Sequence, residues 1–324
     1  MTDRLKMRLG YHPIYTDGLH PEVRFPRHRY NEVAQEIKTR GGEKLIEFYK
    51  PEAVERTQLT TVHCENYIDR FLNGELSIKE RRKIGLRPWT ADIIPRTLIL
   101  TGGTLAAADF ALHHNSYAAN MAGGTHHAYR AHGSGYCIVN DIAIAAQHAV
   151  QHHGISRVAI IDLDVHQGDG TASIFLDNPQ ILTLSVHGEK NFPFRKQQSN
   201  VDISLENETG DTGYLEAVSQ ILSAAEDFKP QFVIYQAGVD PLETDRLGKL
   251  SVTREGLIAR NSRVFDFVDR HNLPCLVLMG GGYSDPIHPT VMALTDLFIE
   301  AAYRHHWRQT HPSKEGKAKQ SRLI

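Results

Sequence analysis

The sequence predicts an α/β protein: one domain built on a central, mostly parallel β-sheet flanked by helices. Two observations carry this. In the second half, short apolar runs rich in Val and Ile alternate with longer amphipathic stretches, which is the βαβ pattern. Those runs are apolar at consecutive positions rather than alternate ones, as expected of strands covered on both faces. A third observation concerns domain number. The 324 residues contain no internal repeat and no low-complexity linker, and a single large α/β domain accommodates that length.

Taken in order, the first half reads as mostly helical, with helices near 29–39, 51–55, 64–72 and 94–114 joined by loops containing Gly and Pro. A helix near 141–153, stopped by Gly154, leads into the strand VAIIDLDVH (158–166), and ILTLSVH (181–187) follows. A helix near 213–228, ended by Pro230, precedes the strand FVIYQAGVD (232–240). A helix near 254–272, ended by Pro274, precedes CLVLMGGGY (275–283), and a last helix is expected near 289–306. Gly and Pro stand where helix stops belong. The apolar pattern ends after Trp307, and residues 304–324 hold Arg304, Arg308, Lys314, Lys317, Lys319 and Arg322 against Glu315 alone. A domain at 1–303 with a basic, flexible tail at 304–324 is the expected division.

Composition excludes several classes. With 41% hydrophobic and 23% charged residues the chain can bury a substantial core, and global disorder is excluded. A net charge of -2 provides no field to hold nucleic acid or an anionic membrane, so neither is an expected partner. Cys64, Cys137 and Cys275 are too few and too widely spaced for a disulfide framework or a structural zinc module. Cys137 is expected to be a small buried hydrophobe. No apolar run has the length of a signal peptide or of the roughly 20 residues a membrane span needs, so a cytoplasmic setting is expected. Of the 19 histidines, the pairs 113–114, 152–153 and 305–306 lie near helix ends and are expected at the solvated surface.

Chemistry concentrates where the apolar runs end. Asp164 and His166, Asp240, and Tyr283 each close a strand, and in open α/β sheets ligands bind beyond the carboxyl ends of the strands. Asp164 and His166 are two apart, so the strand period turns both to one side, where they can reach one ion. Asp240 completes a set of three. Two carboxylates and an imidazole suit zinc and leave a fourth position for water or substrate. Taken alone, a D-x-H segment would rather cap its loop, but three further clusters surround it. GGTHHAYRAHGSGYCIVND (123–141) carries the adjacent His126 and His127. IDLDVHQGDG (161–170) adds Asp162 and Asp169, which can orient the two histidines through carboxylate–imidazole bonds. In GGGY (280–283), Gly281 and Gly282 allow close backbone approach to a ligand, and Tyr283 supplies a phenol donor.

The blocks GGTHHAYRAHGSGYC, IDLDVHQGDG, TLSVHGEKNFPF, AGVDPLETDRLGKLS and LMGGGY resemble the consecutive motifs of histone deacetylases, in that family's order and spacing. YHP (11–13), RFPRHRY (24–30) and RRKIGL (81–86) extend the resemblance toward the N-terminus, and TGGTLAAADFAL (101–112) and DRLGKLS (245–251) are most similar to the class IV and bacterial deacetylase-like branch. The resemblance implies the arginase/deacetylase fold, with Zn2+ or alternatively Fe2+ on Asp164, His166 and Asp240. It implies His127 as general base and later acid, His126 as electrostatic aid, Asp162 and Asp169 as their partners, and Tyr283 as donor to the oxyanion. It implies an acyl-lysine tunnel walled by Tyr136 and Phe192 and narrowed by Gly135, with Gly281 and Gly282 among the substrate-binding positions. A structural K+ would use the Asp162 and Ser185 side chains with the carbonyls of Asp164, His166 and Val186. The implied activity is hydrolysis of N-acyl-lysine amides, acetyl or longer, in proteins or peptides. An acetylpolyamine deacetylase would use the same chemistry behind a different mouth. A silent acyl-lysine reader is disfavoured because the ligand set, His127 and Tyr283 are all present. A two-metal, arginase-type centre is disfavoured because Glu243 and Asp245 lie further along the loop than Asp240. The segment GEKNFPFRKQQSN (188–200), basic beyond Phe192, is expected at the rim of the site.

Overall fold

The computed structural model of the protein describes residues 5–311. Among them, β1 (Met7–Gly10), β2 (Ile46–Tyr49), β3 (Tyr117–Asn120), β4 (Val158–Asp162), β5 (Ile181–Gly188), β6 (Val201–Leu205), β7 (Phe232–Gln236) and β8 (Cys275–Leu278) form one sheet. Its order is β2-β1-β3-β8-β7-β4-β5-β6, and every pairing is parallel. The helices are α1 (Ile14–Asp17), α2 (Arg29–Thr39), α3 (Arg56–Leu59), α4 (Glu65–Leu72), α5 (Ile78–Ile84), α6 (Ile93–His114), α7 (Asp141–His152), α8 (Asp169–Phe175), α9 (Asp211–Phe228), α10 (Arg254–Arg270) and α11 (His288–Thr310). The predicted fold class holds, and the sheet is entirely parallel.

The strands legible from sequence are the covered ones. β4, β7 and β8 are buried at every position, as two-sided coverage by helices requires. β6, at the edge, alternates between intermediate and exposed, and β2, at the other edge, buries Ile46 alone. Short edge strands of mixed character leave little periodic signal. Side-chain caps mark the starts of α5, α7 and α10. Asn140 accepts from the amide of Ala143 at the head of α7, Thr253 from Gly256 at the head of α10, and Ser77 with Glu80 forms a capping box on α5.

Three expectations need correction. Residues 51–55 carry no regular secondary structure, and the helix starts later at Arg56, where Glu55 and Gln58 form a capping box. The segment lies against α6. The Val54 amide donates to the Leu98 carbonyl at 3.2 Å, and a β-carbon at Gly102 would lie 1.8 Å from the Glu52 carbonyl oxygen. The last helix runs to Thr310, past the 306 expected for it and into the segment expected to be a tail. Arg304 bonds Asp266 at 2.6 Å, and Arg308 bonds Asp269 at 2.7 Å and the carbonyls of Leu273 and Val268. The rest of the expected tail, 312–324, lies outside the described residues. His305 is buried, not superficial, with its ring between the Ser116 hydroxyl at 2.8 Å and the Leu5 carbonyl at 2.9 Å. Cys137 is buried as expected.

Arg308 fastens α11 to α10 and stacks 4.6 Å over the Tyr117 ring. Arg308→Ala is expected to destabilise the protein by about 2–3 kcal/mol, since Arg304 remains to face Asp269. Urea denaturation checks this, and an unchanged midpoint would detach these residues from the fold.

Candidate active site

The site begins with register. Asp162 at the end of β4 pairs with Gln236 on β7, Gln236 with Leu278 on β8, and Leu278 with Asn120 on β3. Four strands therefore end at one level, and each carries its polar residues a few positions further on. β4, β5 and β6 proceed outward while β7 and β8 lie on the other side of β4. The chain reverses direction across the sheet between β4 and β7, where α/β sheets open a crevice.

Asp164, His166 and Asp240 meet in that crevice, all buried. His166 Nδ1 lies 3.0 Å from Asp164 Oδ1 and 3.1 Å from Asp240 Oδ2. Backbone donors fix both carboxylates: the Gly281 amide donates to Asp164 Oδ2 and the Val165 amide to Asp240 Oδ1, each at 2.8 Å. A β-carbon at Gly281 would stand 2.0 Å from Asp240 Oδ2, and one at Gly238 would stand 2.3 Å from Asp164 Oδ2. These glycines make room for the carboxylates. The three donor groups lie within 4.8 Å of one another. Burial opposes a charge on the His166 ring, yet Asp164 and Asp240 push its pKa up to about 10, while burial and Asp164 raise that of Asp240. Two buried carboxylates around one imidazole demand a cation, and this donor set fits a metal ion.

The histidine pair lies beside the trio. His126 Nδ1 is 2.7 Å from Asp162 and His127 Nδ1 is 2.6 Å from Asp169, which also accepts from the Tyr129 hydroxyl. The rings are 4.0 Å apart. Burial disfavours charge on both, but Asp162 and Asp164 raise His126 to about 9, whereas burial and the neighbouring His126 lower His127 to about 4. The adjacent rings are thus pushed in opposite directions by their surroundings. Tyr283 stays a phenol: burial raises its pKa well above the ordinary value against the opposing pull of Arg29.

A funnel of about 720 Å3 leads to this floor, lined by Tyr136, Phe192, Gly135, His127, His166 and Tyr283 among others. The Phe192 ring meets the His127 ring edge-on at 4.9 Å. Gly135 has φ +50°, and a β-carbon there would lie 2.5 Å from His127 Cδ2 and 3.0 Å from Phe192 Cε1. Any side chain would close the passage. A cavity of about 50 Å3 continues inward past Asp164 and Tyr283 to Arg29 and Leu100. Gly281 lines this cavity, whereas the space above Gly282 is filled by Val239 and Thr290. Asp162 and Ser185, the side chains expected at a potassium ion, are neighbours in register on β4 and β5, with Val186 next along β5.

Sequence reasoning assigned no role to Arg29 or Asp245. Arg29, 4% exposed, donates to the carbonyls of Gly280 and Gly282 at 2.9 and 3.1 Å, and its guanidinium lies 5.6 Å over the Tyr283 ring. Asp245 accepts from the Tyr283 amide at 2.6 Å. Together they aim the tyrosine. The available signal was an arginine amid aromatics in RFPRHRY.

The fold and site define an α/β protein with a buried centre suited to a metal-dependent hydrolase. The histone deacetylase domain family matches residues 22–295. An uncharacterized protein of Picosynechococcus is 42% identical over 283 residues, covering 87% of this chain and 93% of that one. Histone deacetylase 2 of Arabidopsis thaliana is 30% identical (82% and 70% covered), and the acetoin utilization protein AcuC of Bacillus subtilis is 34% identical (75% and 68% covered). The chain belongs to the histone deacetylase family, and it is a hydrolase acting on amides.

Asp240→Ala is expected to lose one equivalent of zinc per chain and Tyr283→Phe none, measured as metal content after reloading and dialysis. Equal loss in both would overturn this ligand assignment.

Proposed function

We propose that the chain hydrolyses the amide of N-acyl-lysine in proteins or peptides. The observation that carries this reading is the funnel, narrowed at Gly135 and Phe192, which ends on His127 and Tyr283 beside Asp164, His166 and Asp240. An amide is a poor electrophile; Asp164, His166 and Asp240 would hold a divalent ion, zinc by the preference of the donor set, which would supply the Lewis acidity such a reaction needs. His127, held through Nδ1 by Asp169, takes the proton of the attacking water at Nε2 and returns it to the leaving lysine amine. His126, held by Asp162, stands beside the reacting centre as electrostatic support. Tyr283 donates its phenol hydrogen to the carbonyl oxygen as charge develops there. Asp162, Ser185 and the neighbouring carbonyls are the place for a structural potassium ion.

The mouth favours a peptide over a polyamine. Arg24, Lys83, Arg87, Lys190 and Lys249 line it against Glu22. Such a rim repels a polycation and attracts acidic residues beside an acyl-lysine. The inner cavity of about 50 Å3 has room for a short acyl group, so acetyl is the preferred substituent. The free thiols of Cys64, Cys137 and Cys275 suit a reducing, cytoplasmic setting, and no helix among the described residues is long and apolar enough to cross a membrane.

One panel of acetyl-lysine peptides, longer acyl-lysine peptides and acetylpolyamines, assayed on metal-loaded protein, decides the reading. Acetyl-lysine peptides are expected to turn over fastest; binding without release of acyl from any substrate would sink the enzymatic assignment. On the best substrate, Tyr283→Phe is expected to lower kcat about 100- to 1,000-fold with KM little changed. Lys190→Glu with Lys249→Glu is expected to raise KM for peptides with acidic flanks and leave kcat unaltered. An unchanged KM would remove the rim from substrate choice.

A further inference from the structure

A second cluster of metal-ligating side chains lies between the C-terminal ends of α6 and α7, apart from the crevice. Asp109 on α6 faces His148 and His153 on and just after α7, and Nε2 of each imidazole lies 2.7 Å from the same carboxylate oxygen, Oδ1. A pairing made for structure alone would gain by giving each imidazole its own oxygen. Here both nitrogens converge on one point. The three ligand groups lie within 4.8 Å of one another, as in the candidate catalytic trio.

Two more imidazoles flank them. His113 follows Asp109 by one helical turn, its Nδ1 lies 2.8 Å from the Asp109 carbonyl, and its ring meets the His153 ring edge-on at 5.2 Å. His152 follows His148 by one turn with ring centroids 4.7 Å apart. The side chains of His148 and His153 are 17% exposed and that of Asp109 is 42% exposed, so an ion can enter from solvent yet be partly shielded.

We propose that Asp109, His148 and His153 bind a divalent transition-metal ion, with His113 and His152 beside them. The donor set, imidazole-rich with one carboxylate, selects Zn2+, Cu2+ or Ni2+ over Mg2+ and Ca2+. Three protein ligands leave a coordination position for water or a further imidazole. The bound ion ties the end of α7 to the last turns of α6 and lies outside the catalytic chemistry.

The test is zinc stoichiometry and affinity on metal-stripped, reloaded full-length protein. Wild type is expected to take two equivalents. The double variant His148→Gln, His153→Gln, which keeps amide donors toward Asp109, is expected to lose one of them and weaken that equivalent by roughly 100-fold or more, as loss of direct ligands should cost at least what loss of their supporting partners does. Amide hydrolysis at saturating active-site zinc is expected to be unchanged. Asp240→Ala is expected to lose the other equivalent, and Asp109→Asn provides a second route should the double variant not fold. Added zinc is expected to raise the Tm of Asp240→Ala and leave that of Asp240→Ala combined with Asp109→Asn unmoved. A single equivalent in wild type, abolished by Asp240→Ala, overturns the proposal and leaves the deacetylase reading intact.

Discussion

Two carboxylates, Asp164 and Asp240, are buried around one imidazole, and the surrounding structure is arranged to make that burial tolerable. Each gives one oxygen to a backbone amide, and Gly238 and Gly281 keep side chains out of their space. Two buried guanidinium groups brace the loops behind them. Arg260 donates to the carbonyls of Gly238 and Ala237, on the approach to Asp240, and Arg29 to those of Gly280 and Gly282, on the approach to Tyr283. Both arginines also contribute positive charge near the carboxylates. Loss of either would remove a partner and leave buried charge uncompensated, which costs more than the bond itself.

The parallel sheet turns this local demand into a catalytic layout. Because β3, β8, β7 and β4 end level, the loops leaving them share one crevice, and each loop contributes a different element. The loop after β3, which carries the histidine pair, has two anchors. Asp141 at the head of α7 accepts from the amides of Gly124 and Thr125, and Gln236 on β7 donates to the Gly124 carbonyl at 2.8 Å. A β-carbon at Gly124 would lie 2.1 Å from the Gln236 side-chain oxygen. The histidines are therefore positioned by the strand next to the one that precedes Asp164 and His166. Carboxylates then set the ring orientations: Nδ1 of His126 faces Asp162 and Nδ1 of His127 faces Asp169.

This layering explains what could be read from sequence. The covered strands β4, β7 and β8 announce themselves by consecutive apolar residues. Asp164, His166, Asp240 and Tyr283 were legible because each closes such a run and further polar clusters surround them, and the motif blocks suggested roles for the histidines. Arg29, Arg260, Asp141 and Asp245 were not legible, because each acts on backbone atoms or amides brought close by the fold. A guanidinium that bonds a carbonyl over two hundred residues away leaves no spacing pattern. The same blindness produced the errors. Residues 51–55 have helical composition but pass without regular structure against α6 where Gly102 admits them, and Arg304 and Arg308 read as a tail although Asp266 and Asp269 hold them on α10.

The histidines illustrate the difference between the two kinds of information. His126 and His127 are neighbours in the chain, and their meaning depends on partners 36 and 42 residues away. Asp109 and His113, and His148 and His152, are each spaced by one helical turn, a pattern fully present in the sequence, yet it means something only because α6 packs on α7. Taken singly, these residues give no sign of a site. Taken together, they bring imidazole nitrogens and a carboxylate to one point. The buried trio is rich in carboxylates, so a cation there would offset charge that burial makes costly. The surface cluster is rich in imidazole and survives on hydrogen bonds alone, so a metal there is optional and its binding follows availability. That contrast, a deeply buried, carboxylate-rich site against an imidazole-rich, partly exposed one, is what would separate a tightly held cation from an exchangeable one.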